Sequence, residues 1–278
     1  MRRCIEAILA QTLKPIEVII VDAGSTDGSQ NIIREYADRG VKLVVSKGCI
    51  YSEGEKLASD LAQGEFLAIT NADCYVPPNW LECSYMWYTK GYDVVGVLRC
   101  NTGDIYNFAW NTLHDDKPWT TQREGLGLSS DGIFILRQTR EDLNLKNLFN
   151  SPDVETALSS PLKQRHVIID PDIMIIHDHP LGGATNCFRK SMAYGRLHVG
   201  MIKKIHKRMV LGESVGITLS IRGLGGDLLG INAIKGYKQW KPLMDRVGIH
   251  ANCLQFVIVR MVHKMGQLTG ILMAVIGV

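Results

Sequence analysis

Two short polar stretches carry side chains that can bind a ligand. The first is Asp22-Ala23-Gly24-Ser25-Thr26-Asp27-Gly28, and the second is Asn71-Ala72-Asp73. Each follows a run of apolar residues that is typical of a buried strand. A carboxylate at the end of a strand can accept hydrogen bonds from the edge of a nucleobase. In the alternative interpretation, Asp22 and Asp27 only cap the helix that follows.

The segments around these stretches alternate between helix and strand patterns. Asp27 with Gln30, and Ser52 with Glu55, have the spacing of capping boxes and predict two helix starts. This order predicts an α/β fold with a mostly parallel sheet flanked by helices, which places ligands at the carboxyl ends of its strands. The predicted strands are 16–22, 41–45 and 66–70.

Both polar stretches resemble segments of one enzyme family. Ile19 to Ser29 resembles the nucleotide-binding strand and loop of family-2 glycosyltransferases, and Asn71 to Leu81 resembles their metal-binding segment. The two segments stand in the order and at the spacing of that family. The resemblance implies a GT-A fold over residues 1–185 and the inverting transfer of a sugar from a nucleotide-sugar donor.

The resemblance also implies roles for residues of both stretches. Asp22 would bind the nucleobase, with a uridine donor favoured, and Gly24, Ser25 and Asn71 would complete the nucleotide site. Asp73 would bind Mn²⁺ or Mg²⁺, which takes oxygen ligands and clamps the two phosphates of the leaving group. The family usually has Asp-x-Asp here, and this chain has Asn71 in the first position.

Two further residues have a functional and a structural interpretation. His177 follows a predicted strand where some relatives supply a histidine to the metal, but it also fits an ordinary loop position. Asp131 lies in a segment similar to the acceptor side of the family. It is predicted either to contact the donor sugar and acceptor hydroxyls or to form a turn before a core strand.

Inversion requires a base that removes the proton of the attacking hydroxyl. The resemblance makes Asp153 the candidate catalytic base, with Glu155 as the second candidate. Pro152 stands where the family has an acidic residue. Asp153 also opens a helical pattern and fits a helix N-cap.

The sequence departs from the family at two places. Met1 begins inside the first helical pattern, so the first strand that opens the family's fold has no counterpart in these residues. Residues 51–54 read Tyr-Ser-Glu-Gly, where relatives carry an Arg-Asn-x-Gly run near the diphosphate. Basic contacts to the phosphates must then come from other residues.

Charge divides the chain into an acidic and a basic part. Residues 1–157 contain 15 Lys and Arg and 22 Asp and Glu, a balance of −7, whereas residues 158–278 contain 16 and 6, a balance of +10. Within the predicted region 186–278, Met201 to Val210 has the pattern of a basic amphipathic helix. The same pattern also fits an ordinary solvated helix packed on the domain. We expect the region to contact an anionic membrane surface, peripherally or monotopically at the cytoplasmic face, where a lipid-linked or envelope-glycan acceptor would be found.

Residues 253–278 are strongly apolar, and as a helix they would extend roughly 39 Å, which is long enough to cross a bilayer. Their polar residues recur on one helical face, which favours a helix lying in the membrane interface or packed on another helix over a single crossing. These residues are Arg260, His263, Lys264 and Gln267.

Other classes of protein fit the sequence less well. The seven cysteines lack Cys-x-x-Cys spacing and predict reduced thiols without a zinc cluster. We find no nucleic-acid-binding motif and no Gly-x-Gly-x-x-Gly after the early strand. The main alternative is a non-catalytic GT-A-like protein at the membrane, which the missing strand and Asn71 motivate.

Overall fold

A computed structural model of the chain describes residues 1–106, 123–124, 131–142, 166–178, 182–193, 195–196 and 231–276. The chain divides into two compact units. The first contains Met1–Arg99 and Trp119–His177, and the second contains Cys100–Pro118 and Asp178–Val278.

The first unit alternates short helices and strands along its first half. Its described helices are α1 (Arg2–Leu9), α2 (Ser29–Arg34), α3 (Tyr51–Leu61), α4 (Trp80–Thr89) and α5 (Arg137–Asp142). Among the described residues the strands are β1 (Val18–Asp22), β2 (Val41–Val45), β3 (Phe66–Thr70), β4 (Cys74–Tyr75), β5 (Val94–Asn101), β6 (Arg123–Glu124), β7 (Gly132–Leu136) and β8 (Val167–His177).

Strands β1 and β2 form a parallel two-stranded sheet in which Val18 pairs with Val41 and Asp22 with Val45. Both are runs rich in β-branched residues, which favour the extended backbone of a strand. Helices α1 and α2 contribute Ile5 and Ile33 to the small apolar core beside this sheet. The sheet ends at Asp22, so it presents the first polar stretch at its carboxyl edge.

The larger sheet has the order β3-β7-β5-β8-β4, with β6 paired to β8. Its pairings β3–β7, β5–β7, β4–β8 and β6–β8 are antiparallel. The α/β class with flanking helices is therefore confirmed, but the expectation of mostly parallel strands holds only for β1 and β2 among the described pairs. The difference arises because β3 pairs antiparallel with β7. Strand β7 follows the part of the chain in which helix and strand patterns alternate, so the alternation does not predict this pairing.

Aromatic side chains of α4 pack on the larger sheet. Trp80 and Trp87 are buried, and the Trp87 indole nitrogen donates a hydrogen bond of 2.7 Å to Asp170 Oδ2 on β8. At the start of β7, a Cβ atom on Gly132 would lie 2.3 Å from Ile175 Cδ1. A larger residue there would displace the Ile175 and Val97 side chains, and the pairing of Gly132 with Thr70 holds the preceding Asp131 beside the end of β3.

The second unit is helical in the part that the structure describes. Residues 183–193 form α6, and α7 (Ile231–Arg246) packs against α8 (Cys253–Ile276). The polar residues Arg260, His263 and Gln267 of α8 are buried within the unit. Of the helices in the described ranges, none combines the length and the apolar character that a bilayer crossing requires.

Candidate functional site

The second polar stretch begins where β3 ends. The backbone N–H of Cys74 donates to the carbonyl of Asn71 over 3.0 Å, which closes a turn and brings the chain into β4. The Cys4 thiol of α1 lies 3.5 Å from the same carbonyl. Helix α1 thus supports the turn that presents Asp73.

The register of β4 on β8 brings Asp73 and His177 together. Cys74 pairs with His177, the last residue of β8, and the preceding Asp73 places its Oδ2 atom 3.2 Å from His177 Nε2. The side chain of His177 is 11% exposed and that of Asp73 is 39% exposed. A carboxylate and an imidazole therefore meet at a position that a solute can reach.

A third potential ligand, Cys74, was missed by the sequence analysis. One ligand atom each from Asp73, Cys74 and His177 lie within 4.8 Å of one another. Burial raises the pKa of the Cys74 thiol far above its usual value, and the nearby Asp131 and Asp73 carboxylates raise it further. A thiol is a soft ligand and suits these hard cations poorly, which leaves Asp73 and His177 as the ligands suited to Mn²⁺ or Mg²⁺. The only sequence signal for Cys74 is its position directly after Asp73.

Asn71 is held by a buried carboxylate. Its side-chain amide donates to Asp131 Oδ1, and Arg99 forms an ion pair with Asp131 Oδ2. The Thr70 hydroxyl donates to the Asp131 carbonyl over 2.8 Å. This follows from the register, because Thr70 pairs with Gly132 and Asn71 therefore adjoins Asp131.

Asp131 is only 2% exposed. Its carboxylate is engaged inside the protein, as in the interpretation that makes it a turn residue before a core strand. The predicted contact of Asp131 with sugar hydroxyls stays a prediction. A half-exposed carboxylate beside an imidazole can bind a divalent cation.

Asp22 organises the first polar stretch. Its Oδ1 atom accepts hydrogen bonds from the backbone N–H of Gly24 at 2.9 Å and of Ser25 at 2.8 Å, and from Gln30 Nε2 at 2.7 Å. Burial raises the pKa of Asp22, but the hydrogen bonds outweigh burial and hold this pKa below its usual value. The Asp22 carboxylate is therefore an anion that holds its own loop in place through these hydrogen bonds, independently of any ligand.

The capping of α2 differs from the prediction at Gln30 and agrees with it at Asp27. The Gln30 side chain turns to Asp22 instead of completing a capping box with Asp27, because the buried Asp22 carboxylate needs donors. Asp27 Oδ1 accepts from the backbone N–H of Ser29 at 3.0 Å, which supports the structural interpretation of Asp27. Gly24 has a φ of 101°, and a Cβ atom there would lie 3.3 Å from Lys47 Cγ, so the loop requires glycine.

Two further places were singled out in the sequence, the candidate bases and the stretch 51–54. Asp153 and Glu155, the candidate bases, lie outside the described residues. Glu53, in the stretch that replaces the family's Arg-Asn-x-Gly run, accepts a hydrogen bond of 3.1 Å from the backbone N–H of Ile50 and so caps its own helix α3.

Comparisons with known proteins give one family. The profile of the family described as "Glycosyl transferase family 2" matches residues 1–147. The "Putative glycosyltransferase EpsH" of Bacillus subtilis (strain 168) is 31% identical over 223 residues, which is 78% of this chain and 62% of that protein. The "Undecaprenyl-phosphate 4-deoxy-4-formamido-L-arabinose transferase" of Pectobacterium carotovorum subsp. carotovorum (strain PC1) is 33% identical over 102 residues, which is 35% of this chain and 31% of that protein. The chain thus spans less than two thirds of the length of either relative.

Solved structures share the fold at low sequence identity. The mannosyltransferase PcManGT from Pyrobaculum calidifontis, in complex with GDP-Man and Mn²⁺, has a TM-score of 0.60 at 14% identity and covers 99% of this chain and 82% of its own. S. aureus TarS 1–349, in complex with UDP-GlcNAc, has a TM-score of 0.53 at 12% identity and covers 99% and 88%. These likenesses confirm the predicted GT-A-like class.

Proposed function

Because the chain belongs to glycosyltransferase family 2, we propose that it transfers a sugar from a nucleotide-sugar donor to a lipid-linked or envelope-glycan acceptor, with inversion at the sugar carbon. The observation that carries this proposal is the pairing of Asp73 with His177 beside Asn71, at the end of β3. The second observation is the anionic Asp22 loop at the carboxyl end of β1.

Asp73 and His177 are the residues that would hold a divalent cation. Their oxygen and nitrogen atoms already lie 3.2 Å apart. A carboxylate with an imidazole suits Mn²⁺, and Mg²⁺ would depend more on Asp73. Mn²⁺ or Mg²⁺ held by these residues would neutralise charge on a diphosphate leaving group. The complex of PcManGT with GDP-Man and Mn²⁺ supports this choice of cofactor.

The nucleotide would lie on the Asp22 loop. We assign Asp22, Gly24, Ser25 and Asn71 to this site, with Asp22 accepting hydrogen bonds from the base and a uridine nucleotide favoured. The rigid, glycine-containing backbone of the loop supports this assignment, since a preformed loop loses little conformational entropy on binding.

The acceptor hydroxyl would attack the sugar from the face opposite the leaving diphosphate, and a carboxylate would take its proton. We assign this step to Asp153, with Glu155 as the second candidate. The relative that bears the name of an undecaprenyl-phosphate transferase supports a lipid-linked acceptor. An enzyme with such an acceptor would work at the cytoplasmic face of the membrane.

A second candidate function is a non-catalytic protein that keeps the fold. The observation that favours it is the separation of the sheets. Among the described strands, β1 pairs only with β2 and lies in a different sheet from β3. Such a protein would still bind a nucleotide in the presence of Mn²⁺ but would release no sugar.

The test is binding of UDP, GDP and dTDP to the purified chain, each with and without Mn²⁺. We expect tight binding of one nucleotide that requires Mn²⁺, followed by release of sugar from the matching nucleotide sugar when an acceptor lipid is added. Nucleotide binding without transfer to any acceptor would favour the non-catalytic alternative. No binding of any of the three nucleotides would contradict both.

A further inference from the structure

Helix α8 in the second unit buries most of its polar stripe and leaves several long apolar side chains exposed. Arg260 and His263 are 1% and 0% exposed, whereas Leu254 and Leu272 are 67% and 61% exposed. The sequence pattern left open whether this helix lies in the membrane interface or packs on another helix, and in the structure its polar stripe packs inside the unit. Exposing long aliphatic side chains in this arrangement leaves apolar surface in contact with water, which is unfavourable.

The exposed side chains form one continuous stripe. At about 100° per residue, Leu254, Ile258, Met265 and Leu272 lie within an arc of about 40° around the helix axis. From the first to the last of them the stripe extends roughly 27 Å. A stripe of this length is a coherent surface and not a set of scattered apolar residues.

The rotation of α8 is fixed by its contact with α6. A Cβ atom on Gly270 would lie 1.8 Å from the Met192 carbonyl oxygen, and one on Gly266 would lie 2.6 Å from the Phe188 carbonyl oxygen. The glycine side of α8 must therefore face α6. On the same side, His263 Nδ1 and Ser191 Oγ are hydrogen-bonded at 2.8 Å. Helix α8 cannot turn its apolar stripe inward without losing these contacts.

Cations flank the stripe. Lys264 adjoins Met265 on one edge of it, and the Arg196 guanidinium reaches Met273, next to Leu272, with 3.3 Å between Nη2 and Sδ. The described residues within 178–276 contain nine Lys and Arg and two Asp and Glu, a balance of +7. Apolar side chains bordered by cations complement the acyl chains and head groups of an anionic bilayer.

We propose that this stripe of α8 is a lipid-docking surface, on which the helix lies in the plane of an anionic membrane. A bilayer matches it better than a second copy of the chain, since a symmetric pairing of α8 with itself would bring two basic regions together. The inference rests on the orientation of α8 and is independent of the proposed transfer reaction.

The experiment is co-sedimentation of the full chain with vesicles of phosphatidylcholine, alone or mixed with phosphatidylglycerol. We expect binding to the mixed vesicles that weakens with added salt and without phosphatidylglycerol. The double variant Ile258→Gln/Met265→Gln should bind about tenfold or more weakly, because apolar area drives insertion. Met86→Gln is the matched control: Met86 lies on α4 of the first unit and is 49% exposed, as is Met265.

A second double variant, Leu254→Gln/Leu272→Gln, repeats the test at the ends of the stripe. Mn²⁺-dependent nucleotide binding reports whether each variant keeps its donor site, so that loss of lipid binding and failure of the proposed function are separate results. Equal vesicle binding by wild type and both double variants would overturn the proposal. The proposal would also be overturned if light scattering showed that these variants convert a wild-type dimer to a monomer while their co-sedimentation with vesicles stays unchanged.

Discussion

The Asn71 side-chain amide donates a hydrogen bond to the carboxylate of Asp131, which is buried and paired with Arg99. This contact gives a physical reason for the departure from Asp-x-Asp. A carboxylate at position 71 would face the Asp131 carboxylate at hydrogen-bond distance, whereas an amide supplies a donor. Asn71 is thus matched to Asp131 across the β3–β7 register.

Asn71→Asp should therefore destabilise the first unit. The like charges and the lost donor should lower the free energy of unfolding by about 1–3 kcal/mol at neutral pH. Urea denaturation of Asn71→Asp, Asp131→Asn and the double variant measures the coupling. In the double variant an amide again faces a carboxylate, so it should recover part of the loss. Additive losses in the double variant would refute the coupling.

Asp73→Ala should abolish the dependence of nucleotide binding on Mn²⁺. The variant removes the half-exposed carboxylate that lies beside His177, so we expect affinity in Mn²⁺ to fall at least about tenfold, to the level measured without the ion. Asp38→Ala, which changes an exposed aspartate on the same unit, is the matched control. Isothermal titration of nucleotide in the presence and absence of Mn²⁺ measures both. Unchanged Mn²⁺ dependence in Asp73→Ala would remove this residue from the metal site.

Asp22 should stabilise the protein in a pH-dependent manner. Its pKa in the folded state is below the unfolded value of about 3.9. A depressed carboxyl pKa adds stability that is present above the unfolded pKa and is lost as the pH falls through the folded pKa. Asp22→Asn should thus be less stable than wild type by about 1–2 kcal/mol at pH 7. The difference should shrink below about pH 4.

Urea midpoints of wild type and Asp22→Asn between pH 7 and pH 3 test this expectation. Asp27→Asn serves as the comparison, because Asp27 is exposed and should change the midpoint less. A difference between wild type and Asp22→Asn that stays constant down to pH 3 would contradict the charge-based explanation.

Asp153→Asn should leave nucleotide binding intact and stop transfer. The variant keeps the size of the side chain but removes its ability to accept a proton, so kcat should fall by about 10²-fold or more. Parallel nucleotide titration and transfer assays separate the two effects. Normal transfer by Asp153→Asn, together with loss of transfer in Glu155→Gln, would move the base to Glu155.

Gly270→Ala should destabilise the second unit. The added methyl group would overlap the Met192 carbonyl at 1.8 Å, and pushing α6 away should cost about 1–3 kcal/mol. Gly54→Ala on α3 is the control, since its Cβ atom would meet Cys49 and Val21 at 3.5 Å, an ordinary contact distance. Thermal unfolding should show a lower midpoint for Gly270→Ala and an unchanged or slightly higher midpoint for Gly54→Ala, because alanine favours a helix interior more than glycine does. Equal midpoints for the two variants would show that the α6–α8 contact is loose.

The early strands could be predicted from sequence because their signal is local. The runs 41–45 and 66–70 coincide with β2 and β3, and 16–22 differs from β1 only at its start. Consecutive β-branched and apolar residues favour an extended backbone wherever the chain goes next. The same local character made the Asp22 loop and Asp73 recognisable as ligand-binding candidates.

Glu55 shows where local reasoning failed. Its spacing from Ser52 predicts a capping residue, yet Glu55 is buried and pairs with Arg140 over 3.0 Å, across 85 positions of the chain. Glu53 makes the capping contact instead. Periodicity and capping rules describe neighbours within one turn of helix and carry no information on such distant partners.

The sequence by itself determined the family, the α/β class, the strands that lead into the site and the candidate ligand Asp73. The tertiary structure decided which residues stand opposite them. The antiparallel register of β4 on β8 brings His177 to Asp73. The antiparallel register of β3 on β7 brings Asp131 to Asn71. The close approach of α6 to Gly266 and Gly270 turns the apolar stripe of α8 outward. Strand register and helix rotation depend on packing between segments far apart in the chain, so no local pattern encodes them.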